Sequence, residues 1–369
     1  MKWSPRSLGP VRIVELAAVI GALVCAFAQV PAAVIERMYS AGLYPELQRA
    51  ITRLSNRLPF AIFDVLLVGL ALTVVVALTQ SIREAWRMRA VGRLARTLAH
   101  LAASAAAGYI LFLRLWGFNY RRVSMPERLV LDRAAPSSDD VVQLGLRAVE
   151  AMNGLYATAH AAPDPGPEWR NADLRRAFAD VERSLSDAPP AEPGRLKRSL
   201  FGPYFRWTGV DGMINPFGLE VLANPDLLPF ERPFVAAHEW GHLAGFADEA
   251  AANFVGWLTC IRASPAAQYS GWFYLYWQIS GEVNAEERAK INAGLAEGPR
   301  RDVNAVVARI RRGQIPSLQR ASWQVYDTYL KANRVKSGVR SYGEVVTLLL
   351  RARFGPGWTP VRQRAAARP

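Results

Sequence analysis

The chain has 369 residues, of which 51% are hydrophobic, and its formal net charge is +14. This length accommodates a membrane region together with one or two soluble domains. The positive charge comes without an aromatic and basic recognition motif, so nucleic acid is excluded as the expected partner. The two cysteines, Cys25 in an apolar segment and Cys260 in the soluble part, do not predict an intramolecular disulfide.

Three apolar segments in the first third of the chain predict membrane-spanning helices, at about residues 13–35, 59–82 and 97–118. Leu16 to Ile35 carries no charge and is long enough to cross a bilayer as a helix. It is too long for the usual apolar core of a signal peptide, and no cleavage site is evident after it. We therefore expect residues 1–122 to form a membrane region with three transmembrane helices and the lipid bilayer as a partner.

Basic residues beside these segments predict the orientation of the membrane region. They precede the first span and occupy the loop between the second and third spans, at Lys2, Arg6, Arg12, Arg83, Arg87, Arg89, Arg93 and Arg96. Other arginines lie on the opposite side and weaken this bias, at Arg37, Arg49, Arg53 and Arg57. We expect the N-terminus to be cytoplasmic and the soluble domain to lie outside the cytoplasm.

Helical patterns follow the third span, and residues 123–354 are expected to form a predominantly helical domain with a small β element. Ser137 or Ser138 can cap a helix that carries an apolar stripe. Ala172 to Leu185 predicts another helix, between two proline-rich loops. Residues Tyr204 to Ala223 predict irregular structure with one or two short strands, and the segment from Gly212 to Asn224 could align a peptide substrate by edge pairing.

The segment His238-Glu239-Trp240-Gly241-His242 places two histidines four residues apart, with a glutamate directly after the first. On a helix both imidazoles project from one face and can bind one metal ion. The glutamate is well placed to hold a water at that metal and to take its proton. This pattern is typical of a zinc hydrolase, in which the histidines are ligands and Glu239 is the general base.

A catalytic zinc site of this kind needs a third protein ligand. Glu249 lies seven residues after His242, which is roughly 10 Å along a continuous helix, so the chain must turn back for it to reach the metal. Gly245 can end the first helix in a left-handed conformation, and Asp248 can cap a second helix. Glu249 then completes a His/His/Glu set. Asn253, one turn later, can hydrogen-bond one of the ligands.

The remainder of the chain predicts four helices, at about residues 284–296, 303–311, 318–331 and 342–353. The basic tail at 355–369 is expected to be disordered. Tyr269 and Tyr342 are the tyrosines expected to donate a hydrogen bond to the oxyanion of a peptide substrate.

The histidine pair followed by a Glu-x-x-x-Asn segment resembles the gluzincin class of zinc metallopeptidases. The wider chain resembles an uncharacterised bacterial family of three-span membrane proteins with a gluzincin-like zinc metallopeptidase domain. The stretches that carry this resemblance are Leu115-Trp116-Gly117-Phe118-Asn119-Tyr120-Arg121, Pro229-Phe230, Gly245-Phe246 with Glu249-x-x-x-Asn253, Tyr329-Leu330-Lys331-Ala332-Asn333 and Gly338-Val339-Arg340-Ser341-Tyr342-Gly343. Relatives often carry a further acid two residues after the third ligand, where this chain has Ala251. The resemblance implies a zincin-like catalytic domain at the bacterial inner membrane.

These observations predict a membrane-anchored zinc metalloendopeptidase in which His238, His242 and Glu249 bind Zn²⁺. Glu239 acts as general base on a zinc-activated water, and the substrate is a peptide or protein. The alternative is a membrane sensor or scaffold protein with a structural or vestigial zinc site. A structural site would be closed, whereas a catalytic site leaves a coordination position facing a cleft. Glu220 is the next candidate for the third ligand if Glu249 does not bind the metal.

Overall fold

The computed structural model describes residues 10–88, 91–161, 166–335 and 344–363. These residues are mostly helical, with one three-stranded sheet and one two-stranded hairpin. The helices of the membrane region are α1 (Pro10–Phe27), α2 (Ala32–Ile35), α3 (Tyr44–Arg57), α4 (Ile62–Met88) and α5 (Val91–Leu115). A π-helical segment, Glu36–Leu43, joins α2 to α3.

Two helical segments are long and apolar enough to cross a bilayer, Ile62–Glu84 and Ala95–Leu115. A third span results if α1 is counted together with the helical segment Ala32–Arg57, from which it is bent by 116°. The chain therefore has two or three candidate spans, as expected for a membrane protein. The first predicted span differs from the structure because its helix ends at Phe27 rather than near residue 35. Pro31 accounts for the break, since it lacks an N–H and disfavours helical backbone in the preceding residue.

The part of the chain after α5 is built mainly from helices. They are α6 (Met125–Arg128), α7 (Ser138–Ala161), α8 (Ala172–Leu185), α9 (Gly202–Thr208), α10 (Arg232–Leu243), α11 (Glu249–Ile261), α12 (Pro265–Glu282), α13 (Ala285–Ala293), α14 (Glu297–Gly313), α15 (Pro316–Ala332) and α16 (Glu344–Arg351). α11 is buried along almost its whole length and packs against α8, α10, α12 and α16. It is apolar around its circumference, as a helix at the centre of a domain must be.

A small sheet lies beside α10. It contains β1 (Leu196–Lys197), β2 (Gly212–Asn215) and β3 (Glu220–Ala223) in the order β1-β3-β2, with β2 antiparallel to β3. The one or two short strands predicted between residues 204 and 223 are confirmed, but the start of this stretch belongs to the helix α9 rather than to irregular structure. Within the described residues β2 has a strand neighbour on one side only, and its other edge is not paired with a strand.

Glu220 on β3 fixes this sheet to the membrane region. Its carboxylate forms an ion pair of 2.8 Å with Lys197, and both side chains are only 1% exposed. It also accepts hydrogen bonds from the main-chain N–H groups of Ile62 and Phe63, at the start of α4. A carboxylate at a helix N-terminus satisfies orphan donors and stabilises the helix dipole. Glu220 is thus engaged structurally and does not join the histidine pair.

The C-terminal segment differs from the expected disordered tail. β4 (Phe354–Gly355) and β5 (Thr359–Pro360) form a hairpin, and the main-chain N–H of Val130 donates to the carbonyl of Val361. The ring of Trp358 lies 5.2 Å from that of Trp257 on α11. This aromatic packing orders the segment in spite of its arginines. Residues 364–369 lie outside the described part of the chain.

Candidate metal centre

The end of α10 is a left-handed turn. Gly245 has φ 84°, the N–H of Phe246 donates to the carbonyl of Gly241, and the N–H of Gly245 donates to that of His242. This is a Schellman motif. Its left-handed position favours glycine, because a Cβ there would clash with the neighbouring backbone. A Cβ at residue 245 would lie 2.7 Å from Oδ1 of Asn119. The predicted role of Gly245 in reversing the chain is confirmed.

The next helix starts with the predicted cap. Asp248 has extended backbone and its carboxylate accepts a hydrogen bond of 3.1 Å from the N–H of Ala251. Because Asp248 faces the helix end, Glu249 at the first helical position points back towards α10. Its Oε2 lies 3.4 Å from Nε2 of His238 and 3.5 Å from Nε2 of His242. The structure therefore brings the three predicted ligands together, with one donor atom of each within 4.8 Å of the others.

The hydrogen bonds around this cluster leave its donor atoms facing inward. Nδ1 of His242 lies 2.9 Å from the carbonyl oxygen of Phe246, which can only accept, so the proton of the neutral imidazole resides on Nδ1. Nε2 then presents its lone pair to the cluster. Glu249 is 2% exposed, and its Oε2 has no hydrogen bond from any described residue. Two imidazole nitrogens and a buried carboxylate oxygen that accepts no hydrogen bond fit a His₂Glu zinc site.

Asn253 lies on α11 one turn after Glu249, beside His238. It is buried, and its Nδ2 has no hydrogen-bond partner among the described residues, as is also true of Nδ1 of His238. The Asn253 side chain favours the protonated form of His238 and so raises the pKa of this imidazole, which indicates that the two groups interact. Its expected hydrogen bond to a metal ligand stays a prediction.

The electrostatics of the cluster follow from burial and from its own charges. Burial by itself would raise the pKa of Glu249, but His242 and His238 outweigh it and hold that pKa below its ordinary value. Burial opposes protonation of His242, yet Glu249 raises the pKa of this imidazole. Burial lowers the pKa of His238 to about 4 and raises the pKa of Glu239 to about 8. A cation between these groups would favour the ionised carboxylates and the neutral imidazoles.

Glu239 lies on α10 between the metal cluster and the edge strand β2. It is buried, and its Oε2 accepts no hydrogen bond from the described residues. Its other oxygen faces Gly212, where a Cβ would approach Oε1 to 2.6 Å. Gly212 therefore provides the room that the Glu239 carboxylate occupies, and any side chain at this position would displace it.

A tyrosine that the sequence did not single out completes the cluster. The hydroxyl of Tyr326, on α15, donates a hydrogen bond to Oε1 of Glu249, the oxygen that does not face the histidines. Tyr269, one of the two expected donors, is buried elsewhere and donates to Asp302 at 2.6 Å. Tyr342 lies outside the described residues. The choice of Tyr269 is therefore corrected: its position on α12 directs it away from the metal cluster.

Three side chains of the membrane region donate hydrogen bonds to carbonyls at the C-terminal end of α10, where the regular hydrogen bonds of the helix end. The indole Nε1 of Trp116 donates to the carbonyl of His242 at 2.9 Å, and the hydroxyl of Tyr44 donates to that of Leu243 at 2.7 Å. Arg122 donates to the carbonyl of Ala244 at 3.2 Å. The segment 115–121 therefore contacts the C-terminal end of α10 through Trp116.

Two cavities flank the cluster. The larger has a volume of about 420 Å³ and is lined by His238, Glu239, His242 and Glu249 together with mainly apolar and aromatic side chains. We call it the membrane-side cavity. The smaller, of about 200 Å³, is lined by His238, Glu239 and Asn253 and contains Arg309. We call it the arginine-side cavity. Glu239 and His238 line both cavities, so the cluster lies at their junction.

Comparison with known proteins assigns the chain to a family. Residues 39–350 match the family described as "Protein of unknown function (DUF3810)", and the chain belongs to this family. No curated protein and no solved structure matches the chain. The description of the family states no activity.

Proposed function

We propose that this protein is a membrane-anchored zinc metallopeptidase whose metal is held by His238, His242 and Glu249. The observation that carries the proposal is the convergence of two imidazole nitrogens on a buried Glu249 oxygen that lacks a hydrogen bond, beside the buried Glu239 at the junction of two cavities. Zn²⁺ bound there would act as a Lewis acid that polarises a carbonyl group and acidifies water.

Glu239 is the general base of this proposal. Its Oε2 is free to accept a proton from water, and the same carboxyl group can return the proton to the leaving amine. The hydroxyl of Tyr326 lines the membrane-side cavity and is the candidate donor to the oxyanion that develops on the scissile carbonyl. It has a single proton, so it would release Oε1 of Glu249 when it donates to the oxyanion. Both groups are positioned by helices that pack around the cluster.

The edge strand β2 is the candidate binding site for the substrate backbone. It runs past Glu239, and both cavities are lined by Gly212 at its start. An extended peptide that pairs with β2 would place alternate side chains in the cavities and its backbone next to Glu239.

The two cavities also favour catalysis over a purely structural site. A structural zinc site is closed by four protein ligands, whereas a catalytic site keeps an accessible position. Here three ligands converge, and His238 together with Glu239 lines open space on both sides. This arrangement supports a hydrolase rather than a scaffold with a structural or vestigial site.

We also propose three spans, with the soluble domain outside the cytoplasm of the bacterial cell. The apolar character of α1 and the arginines at the adjoining ends of α4 and α5, among them Arg87 and Arg93, support this topology. A reporter that is active only in the periplasm, fused after Arg133, should be active. Activity of a cytoplasm-only reporter at the same position would reverse the orientation.

The activity is tested with the detergent-solubilised full-length protein and a peptide library. The wild-type protein should hydrolyse peptides, and Glu239→Gln should reduce turnover roughly 10²–10⁴-fold, because the amide keeps the shape of the side chain but cannot act as a base. Glu286→Gln, the same change at an exposed position on α13, should have no effect. Full activity in Glu239→Gln would overturn the proposed mechanism.

A further inference from the structure

The membrane-side cavity is bordered by residues at the ends of the candidate spans. Leu115 is the last residue of the third candidate span, and Trp116 and Tyr120, which line the cavity, follow it directly. Phe63 in the second candidate span packs edge-to-face on Phe201 in the cavity wall, with ring centroids 5.1 Å apart. The cavity therefore lies at the surface of the bilayer.

The metal cluster is equally close to this surface. The rings of Trp116 and His242 are 6.5 Å apart, and Trp116 is the first residue after the span. A polypeptide leaving the membrane beside α5 would need only a few extended residues to reach the cluster, since each residue spans about 3.3–3.6 Å.

The mouth of the cavity is apolar and exposed. Val325 on α15 is 71% exposed, and Trp323 on the same helix is 40% exposed; both line the cavity. Leu200, beside the cavity wall residue Phe201, is 67% exposed. Of these three side chains, Trp323 is of the aromatic type that favours the interface between a bilayer and water. An apolar rim next to the spans is therefore suited to contact with the bilayer surface.

The two cavities differ in the side chains that they can accept. Arg309 in the arginine-side cavity forms ion pairs with Asp211 at 3.0 Å and with Glu231 at 2.7 Å, so that cavity has a charged wall. The membrane-side cavity is walled mainly by aromatic and aliphatic groups such as Tyr204 and Met213. The membrane-side cavity also contains Glu239 and Glu249, but its wall away from these carboxylates is apolar, so a bulky apolar side chain can lose water there without displacing a charge.

We infer that the substrate is a polypeptide anchored in the same membrane, and that it places a bulky apolar side chain in the membrane-side cavity within a few residues of its anchor. This inference rests on the proposed peptidase function and specifies its substrate class. Burial of a leucine-sized or phenylalanine-sized side chain in the cavity should contribute roughly 10- to 100-fold to affinity.

The inference is tested by photo-crosslinking to the full-length Glu239→Gln protein in lipid nanodiscs, which binds substrate without cleaving it. The probe is a single-span peptide that carries benzoylphenylalanine either about five or about 25 residues beyond its anchor. Five extended residues reach at most about 18 Å. The short probe should crosslink to residues of the membrane-side cavity such as Met213 and Val325.

A matched pair of variants on α15 tests the site of binding. Val325→Glu places a charge at the apolar mouth and should reduce crosslinking about tenfold. Gln324→Glu adds the same charge at the neighbouring exposed position, which does not line the cavity, and should leave crosslinking unchanged.

Several outcomes would overturn the inference. They are crosslinking of the long probe only, crosslinking to Trp277 or Val306 in the arginine-side cavity, and preferential labelling of the membrane-side cavity by a photoreactive phospholipid. Zinc content and hydrolysis of soluble peptides, measured on the wild-type protein, separate this failure from failure of the peptidase proposal. Bound zinc and hydrolysis without a preference for the short apolar probe would refute the substrate class alone.

Discussion

The indole N–H of Trp116 donates a hydrogen bond of 2.9 Å to the main-chain carbonyl of His242. Trp116 directly follows the last residue of a candidate membrane span, and His242 is a candidate metal ligand. A single hydrogen bond therefore joins the end of a spanning helix to the metal helix. Tyr44 and Arg122 bind the next two carbonyls, so the membrane region holds the C-terminal end of α10 in place.

Trp116→Phe should destabilise the protein by about 1–3 kcal/mol, because it removes one buried hydrogen bond and part of a packed ring. Thermal unfolding of the full-length protein in detergent measures this effect. Trp207→Phe is the control, since Trp207 is 43% exposed and its replacement should change stability by less than about 0.5 kcal/mol. Equal stabilities of the two variants would show that the Trp116 bond does not support the metal helix.

Asp248→Asn should leave zinc binding unchanged, whereas Glu249→Gln should weaken it. Asparagine caps a helix nearly as well as aspartate, so Asp248→Asn should retain zinc. Glu249→Gln replaces a charged ligand and should weaken zinc binding severely. Competition with a chelator measures both affinities. The reverse pattern would mean that Asp248, not Glu249, is the third ligand.

Asn253→Ala should weaken zinc binding by roughly 10- to 100-fold, as is usual when a group that orients a metal ligand is removed. The buried amide lies beside His238, and its Nδ2 has no hydrogen-bond partner among the described residues. The same chelator competition measures this loss. An unchanged zinc affinity would assign Asn253 to core packing.

Tyr326→Phe should lower kcat by about 10²-fold or more if the hydroxyl stabilises the oxyanion, with a smaller loss of zinc affinity from the missing hydrogen bond to Glu249. Tyr269→Phe should leave kcat and zinc unchanged and cost about 1 kcal/mol of stability, because its buried bond to Asp302 is lost. Steady-state kinetics and zinc titration distinguish the two. A full loss of activity in Tyr269→Phe with normal activity in Tyr326→Phe would refute these assignments.

The local part of the site could be predicted from the sequence. Gly245 and Asp248 are short-range signals for a helix end and a helix start, and together they fix the direction in which Glu249 points. The bounds of α8 and the two strands within residues 212–224 follow from similar local patterns. Such signals need no knowledge of the tertiary fold.

The remaining part of the site depends on contacts between distant residues. Trp116 is 126 residues from His242, and Tyr326 is 77 residues from Glu249. Periodicity does not specify which of several aromatic residues meets the cluster, which is why Tyr269 was the wrong choice. The ordering of residues 355–363 likewise depends on Trp358 meeting Trp257 across the domain. One amino-acid sequence by itself does not specify which distant residues come into contact.

Glu182 predicts a pH dependence of stability that is independent of the metal centre. Burial raises the pKa of this carboxyl from 4.5 to about 8, against the hydrogen bond that it accepts from Ala191. Between these values the folded state binds more protons than the unfolded state, so the free energy of unfolding falls as pH rises through this range.

Glu182→Gln should therefore stabilise the protein at pH values near and above the raised pKa, by an amount on the order of a few kcal/mol. Its amide oxygen can still accept from Ala191, so the gain should vanish near the ordinary pKa of a glutamate. Denaturant unfolding at several pH values measures this slope, with Glu286→Gln as the exposed control. A constant difference at all pH values would contradict a buried, protonated Glu182.

The zinc content of the purified full-length protein tests the metal centre most directly. Elemental analysis should find about one zinc per chain in the wild type and in Glu239→Gln, because the base is not a ligand. His238→Ala and His242→Ala should each lose most of the metal, since two remaining ligands cannot hold it tightly. Wild-type zinc content in both histidine variants would contradict the assignment of this cluster as the metal site.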